Sequence, residues 1–175
     1  ISGEDRAYCE EQIVAPYGFK KTIHLVDGGC ERQDSVFKGL EKVAALSDAP
    51  DQTLVLIHDG VRPFVDASLI NACITAAAAD GACVPALAVT DTLKQVDVSL
   101  RVEKTIPRQR LYSVQTPQVF AFDLIWKAFA HAWETSFYGT DDASLVEHYG
   151  QAVTVVHGSK YNIKLTTPED LELGQ

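Results

Sequence analysis

The chain has 175 residues, with 24 Asp plus Glu against 15 Lys plus Arg and a formal charge of −9. That balance excludes a general binder of the nucleic-acid backbone, which needs a basic stripe, so any anion is bound at a local site. The length supports one compact domain with its own core, and no apolar run approaches the roughly 20 residues of a membrane span. With no charged-then-apolar leader either, the expected location is the cytoplasm.

Ser2 and Asp5 have the spacing of a capping box and predict a helix to about Ala15. The run TIHLV (22–26) reads as a strand, Gly28 and Gly29 as the turn after it, and Val36, Leu40, Val43 and Ala44 as one face of a helix starting at Ser35. TLVLI (53–57) is a short continuous apolar run, typical of a strand covered on both faces. Asp66 caps a helix with Leu69, Ile70, Cys73, Ile74 and Ala77 on one face, and ACVPAL (82–87) is again strand-like. From Val89 to Val119 polar and apolar residues alternate without a helical period, which predicts an antiparallel arm over about 92–115. A helix from Asp123, a short helix capped by Thr140 and the strand AVTVV (152–156) follow. A last helix has Thr167 as N-cap, Pro168 first and Asp170 completing a capping box.

This order of elements predicts an α/β fold: a doubly wound, mostly parallel sheet with helices on both faces and an extended antiparallel β-arm, in one domain over 1–175. The chain contains no Met and opens directly on a helix signal, so we expect its natural start to be missing. Cys9, Cys30, Cys73 and Cys83 have no C-x-x-C spacing and read as ordinary core or surface thiols.

In open α/β sheets ligands bind beyond the carboxyl ends of the strands. Four predicted strand ends carry polar or glycine residues: Gly28 and Gly29; His58, Asp59 and Gly60; Thr90, Asp91 and Thr92; Asn162 and Lys164. Singly, each has a plain structural explanation as a turn, a local Asp59–Arg62 pair, a helix cap or a solvated lysine. No Ser/His/Asp nucleophile motif or H-E-x-x-H occurs, and His58 reads as structural.

Together, GGCERQDSVFKGL (28–40), HDGVRPFV (58–65), VPALAVTDTLK (84–94), VQTPQVF (114–120), TDDASLVEHYG (140–150) and GSKYNIKLTTPEDL (158–171) closely resemble the methylerythritol phosphate cytidylyltransferases of the non-mevalonate isoprenoid pathway. The resemblance implies a Rossmann-like nucleotidyltransferase whose arm exchanges between the subunits of a homodimer. It implies transfer of a cytidylyl group from CTP to methylerythritol phosphate, a small polyol phosphate, with release of diphosphate. Arg108 and Lys164 match the basic pair that positions the substrate phosphate. Asp59, Arg62, Thr92 and Thr116 match positions around methylerythritol phosphate, and Gly29, Ser35 and Gly60 match nucleotide contacts.

The family's opening strand and glycine-rich loop, on the order of 40 to 50 residues in a βα unit and a further strand, are absent from the sequence. Gly60 and Val61 stand where the family more often has two alanines, and Tyr112 where it often has Trp. VRPF is also similar to the ribitol phosphate cytidylyltransferases, so ribitol 5-phosphate remains an alternative acceptor, and a non-catalytic nucleotide-binding or assembly module is a third reading. Chemically, a phosphate monoester has a second pKa of about 6, so the nucleophile is already an anion at neutral pH and needs no general base. The obstacle is repulsion between polyanions, answered by fixed cations and Mg²⁺. The ion is expected on the CTP phosphates and water, with no protein ligand assigned.

Overall fold

The computed structural model describes residues 1–19, 21 and 24–173. A helical run over 3–17 opens with a 3-10 turn at Gly3–Asp5, continues through α1 (Arg6–Tyr8) and a π-helical stretch at Cys9–Val14, and ends in α2 (Ala15–Tyr17). Ser2 begins it as expected, but its hydroxyl accepts from Glu4 N–H at 3.3 Å, so the cap serves Glu4 where Asp5 was expected. The wide turn lies just before Pro16, which has no N–H to continue the ordinary helical ladder.

The chain then forms α3 (Arg32–Leu46), β1 (Leu54–Ile57), α4 (Ala67–Asp80), β2 (Ala82–Ala88), β3 (Leu93–Val96), β4 (Val102–Ile106), β5 (Tyr112–Val114) and β6 (Gln118–Ala121). It ends with α5 (Phe122–Glu134), α6 (Asp142–His148), β7 (Thr154–His157) and α7 (Pro168–Leu173). Of the strand expected at 22–26, Thr22 and Ile23 lie outside the described residues and 24–26 form no strand. The carbonyls of Leu25 and Val26 are instead taken by the Arg6 guanidinium at 3.1 Å and the Ile1 amino group at 3.0 Å. α6 is capped by Asp141 and not by Thr140: the Asp141 carboxylate accepts from Ser144 N–H at 3.0 Å, and the Ser144 hydroxyl donates back to the Asp141 carbonyl at 2.7 Å. At α7 the Asp170 carboxylate accepts from the Thr166 and Thr167 N–H groups, which hold it below the usual carboxylate range.

The described chain divides into two compact units. The first comprises Ile1–Thr53 and Ala121–Gln151. Phe122, Ile125, Ala128, Phe129 and Ala132 recur at helical spacing and form the buried stripe of α5. α6 contributes Ala143, Leu145 and Val146, and Phe37 of α3 meets Trp126 at 5.0 Å and Trp133 edge-on at 4.1 Å. Within this apolar unit Arg32 grips Asp142 with a two-pronged fork, NH1 to Oδ1 at 3.0 Å and NH2 to Oδ2 at 2.5 Å.

Asp142 has only 1% of its side chain exposed. Burial pushes its carboxyl above the ordinary range, and the hydrogen bonds and charge of Arg32 offset this only in part. The folded protein thus holds the Asp142 proton more tightly than the unfolded chain does. The stability it contributes is fully present below the ordinary Asp value and lost as pH rises through the raised one. Asp142→Asn should therefore gain on wild type as pH is raised from about 4 toward neutrality, measured by urea unfolding across a pH series. A difference sloping the other way would mean that Arg32 outweighs burial.

The second unit comprises Leu54–Phe120 and Ala152–Gln175. Its five-stranded sheet has the order β1-β6-β2-β5, with β7 also paired to β2. α4, capped by Asp66 through a 2.8 Å bond from Leu69 N–H, lays Leu69, Cys73 and Ala77 against Cys83 and Val119. Burial pushes the Cys73 thiol up to about 12, so it is an inert core group. β2 pairs parallel with β7 and antiparallel with β5 and β6, the strands that follow the arm. The reason is the arm: the chain leaves β2, forms the antiparallel β3–β4 hairpin, and returns along β2 in the opposite direction.

That return is not smooth. Val114 stands opposite Ala86 and Val119 opposite Cys83, so five steps on one strand match three on the other, a slip of two residues at 115–117. Pro117 has no N–H for a ladder, and the resulting bulge re-aims Thr116.

Candidate functional site

The second unit gathers polar groups around the end of β1 and the bulge at 115–117. Asp59 N–H donates to Thr116 Oγ1 at 3.0 Å, and the same hydroxyl lies 2.9 Å from His58 Nδ1. The other ring nitrogen, Nε2, lies 3.0 Å from the Arg62 carbonyl. A carbonyl can only accept, so Nε2 carries the proton, and in the neutral ring Nδ1 accepts from the Thr116 hydroxyl. Every donor in the chain from Asp59 N–H through Thr116 and His58 to Arg62 then has an acceptor. His58 is thus held at both ring nitrogens, an arrangement consistent with the structural role read from the sequence.

The Asp59 carboxylate faces two cations: Arg62 Nε at 3.4 Å and Lys164 Nζ at 3.3 Å, both on Oδ2. The side chains of Asp59 and Arg62 are 18% and 12% exposed, that of Lys164 47%. Arg62 is further fixed by NH1, which donates to the Asn162 carbonyl at 2.8 Å. Arg62 is therefore a seated fork, and Lys164 an exposed point charge at the rim. Two cations around one carboxylate make a net positive locus in a chain of charge −9, suited to a phosphate dianion gripped by Arg and neutralised by Lys.

The sequence named Asn162 only as a polar residue at a predicted strand end, and gave no site role to it or to Gln115. Asn162, fully buried, donates Nδ2 to the Thr116 carbonyl at 2.8 Å. Gln115 pairs with the main chain of Ser159. The signal for Asn162 was its place two residues before Lys164 at a predicted strand end; Gln115 carried none, because the bulge that aims it has no mark in the pattern.

The other expected site residues are placed as follows. Thr116 joins Asp59 directly, and Gly60 is exposed in the turn closed by Arg62 N–H to the Asp59 carbonyl at 3.0 Å. A Cβ on Gly60 would meet nothing within 4 Å, so alanine fits there equally well. Arg108 is not brought to Asp59: it is exposed and donates to the Thr90 carbonyl, beside the exposed Thr92 at the base of the arm.

Gly29 and Ser35 belong to the first unit, where Gly29 N–H donates to Ser35 Oγ at 2.9 Å and that hydroxyl donates to the Glu31 carbonyl at 3.1 Å. A Cβ on Gly29 would fall 2.2 Å from Asp34 Cβ, so only glycine allows the turn to close on α3. Gly28, Gly29 and Ser35 line a shallow concavity of about 440 Å³ with Ser2 and Gly3.

The family model described as "IspD: 2-C-methyl-D-erythritol 4-phosphate cytidylyltransferase" matches residues 2–175. A 2-C-methyl-D-erythritol 4-phosphate cytidylyltransferase of Bacillus cereus is 45% identical over the whole chain, which spans 74% of that relative. One of Clostridioides difficile is 44% identical over the whole chain and 71% of its own length. Among solved structures, the 4-diphosphocytidyl-2C-methyl-D-erythritol synthase of Anaerococcus prevotii superposes with a TM-score of 0.84 at 35% identity, covering 99% of this chain and 76% of that one. The α/β, Rossmann-like architecture, the motifs along the chain and these matches have one reading: the chain belongs to the 2-C-methyl-D-erythritol 4-phosphate cytidylyltransferase family.

Proposed function

We propose that the chain, as one nucleotidyltransferase domain, transfers the cytidylyl group of CTP to 2-C-methyl-D-erythritol 4-phosphate and releases diphosphate, in the methylerythritol phosphate route to isoprenoids. The observation that carries this reading is the convergence of Arg62 and Lys164 on Asp59. Arg62 and Lys164 take the acceptor phosphate, with Asp59 free to turn toward the polyol hydroxyls once the phosphate has claimed the cations. Thr116 and Thr92 complete the acceptor contacts. Arg108 and Lys164 hold the phosphate oxygen in line for attack on the α-phosphorus, and Gly29, Ser35 and Gly60 contact the nucleotide.

The attacking oxygen is ionised already, which fits a site whose histidine is committed to structure. Among the described residues no group of three or more His, Cys, Asp or Glu side chains converges as a protein-held metal would require. Mg²⁺ is proposed to arrive on the CTP phosphates and water. No helix among the described residues is long and apolar enough to cross a membrane; the proposed location is the cytoplasm, the proposed partners are the two small substrates and a second copy of the chain, and no nucleic acid is involved.

The test is diphosphate release with CTP and each of two acceptors by the protein with its natural start, since the 175 residues alone, without the family's glycine-rich loop, are expected to turn over negligibly. Methylerythritol phosphate should be turned over, and ribitol 5-phosphate at least about tenfold more slowly, because a site built for one set of hydroxyls leaves groups unpaired with another. Preference for ribitol phosphate would move the protein to that acceptor. CTP binding without turnover of either would favour a nucleotide-binding module.

A further inference from the structure

Two buried amides of the second unit have no part in the chemistry proposed above. Gln115 makes a reciprocal pair with the main chain of Ser159: Nε2 donates to the carbonyl at 2.9 Å and Oε1 accepts from the N–H at 3.1 Å. The same Nε2 reaches the Asn162 carbonyl at 3.2 Å, the acceptor that also seats Arg62. Gly158 leaves room for this pair, since a Cβ there would fall 2.4 Å from Gln115 Oε1. The Asn162 amide cannot be turned over, because the Thr116 carbonyl it meets only accepts. Among the described residues its buried Oδ1 consequently has no hydrogen-bond partner.

An orphaned buried acceptor opposes stability, and each such case calls for a reason. Packing does not supply one, since an apolar side chain would fill the space without the orphan. What the two amides hold does: through them the turn over 158–164 is fastened to the bulge at 115–117, with the Arg62 anchor at Asn162 and Lys164 two residues beyond it.

We propose that Gln115 and Asn162 are positioning residues whose amides clasp the 158–164 turn to the 115–117 bulge, so that Arg62 and Lys164 converge on Asp59 before the acceptor phosphate arrives. The inference rests on the reading of this cluster as the polyol phosphate site. It is a case of preorganisation: a misplacement of 1 Å at such a site can cost on the order of 10²-fold in rate.

The test uses Gln115→Met, which keeps length and shape without hydrogen bonds, and Asn162→Ala, which removes the single bond to Thr116 and introduces no charge. The KM for methylerythritol phosphate should rise by about tenfold or more and kcat should fall, while the KM for CTP stays within about twofold. A merely structural role would lower the folded, active fraction and leave the KM of the surviving enzyme unchanged; that result overturns the proposal. Crystal structures of wild type and Gln115→Met give a readout independent of activity. Lys164 Nζ should move away from Asp59, and an unmoved turn would refute the clasp even if wild type proved inactive with methylerythritol phosphate, an outcome that would sink the assigned reaction alone.

Discussion

Lys164→Ala lowers turnover of methylerythritol phosphate by on the order of 10²-fold or more and leaves the fold standing. The two halves of this expectation have separate causes. The ammonium group lies 3.3 Å from Asp59 Oδ2 at the exposed side of the cluster, where it can leave that carboxylate for the phosphate. An attacking phosphate brings a second polyanion up to CTP, and each fixed cation lost leaves that repulsion unscreened in the transition state. A factor of 10² corresponds to about 2.7 kcal/mol of transition-state stabilisation, the scale of one well-placed electrostatic contact.

Stability responds differently. An ion pair with one partner nearly half exposed is worth roughly 0 to 1 kcal/mol, and Asp59 keeps Arg62 as a partner after the substitution. Thermal unfolding should therefore move by a few degrees at most. Near-normal kinetics in the variant would return Lys164 to the role of a solvated surface lysine.

Mixing Arg108→Ala with Lys164→Ala, each inactive alone, restores roughly a quarter of wild-type activity after dissociation and reassociation, if the arm is exchanged between subunits and hybrids form statistically. A hybrid dimer then has one site lacking both cations and one lacking neither. The motive is the arm itself. Both strands of the β3–β4 hairpin are exposed apart from the half-buried Ile106, and Val98 and Leu100 at its tip are 104% and 82% exposed. A two-stranded ribbon with bare edges and apolar residues is marginal by itself and exposes pairing groups to any other chain, whereas two copies can shield one another about a twofold axis.

The bond from Arg108 to the Thr90 carbonyl ties the guanidinium to the base of the arm beside Thr92. Verified hybrid dimers as inactive as their parents would show that Arg108 serves its own chain or lies outside the site.

The parts of this protein legible in the sequence are those set by local pattern. Asp66 opens α4 because a carboxylate cap acts within one turn, whatever surrounds it. The buried stripe of α5 follows from the 3.6-residue period, and the arm from alternation without it. Asp59, Arg62 and Lys164 were noted at or near predicted strand ends, but each has a plain structural explanation there, and the site roles assigned to them came from the family resemblance.

What the pattern could not show was decided by partners distant in sequence. Residues 24–26 look like a strand but form none; the carbonyl of Leu25 is met by the Arg6 guanidinium, 19 residues away. Which strands lie beside β2 depends on where the chain travels after the arm, because alternation names no partner. The two-residue slip at 115–117 leaves no mark in the hydrophobic pattern, yet it turns Gln115 and Thr116 toward residues more than 40 positions away. Composition and spacing therefore determined which charges could act, while tertiary structure decided how they are held, because hydrogen bonds that close such long loops form only when the whole sheet is in register.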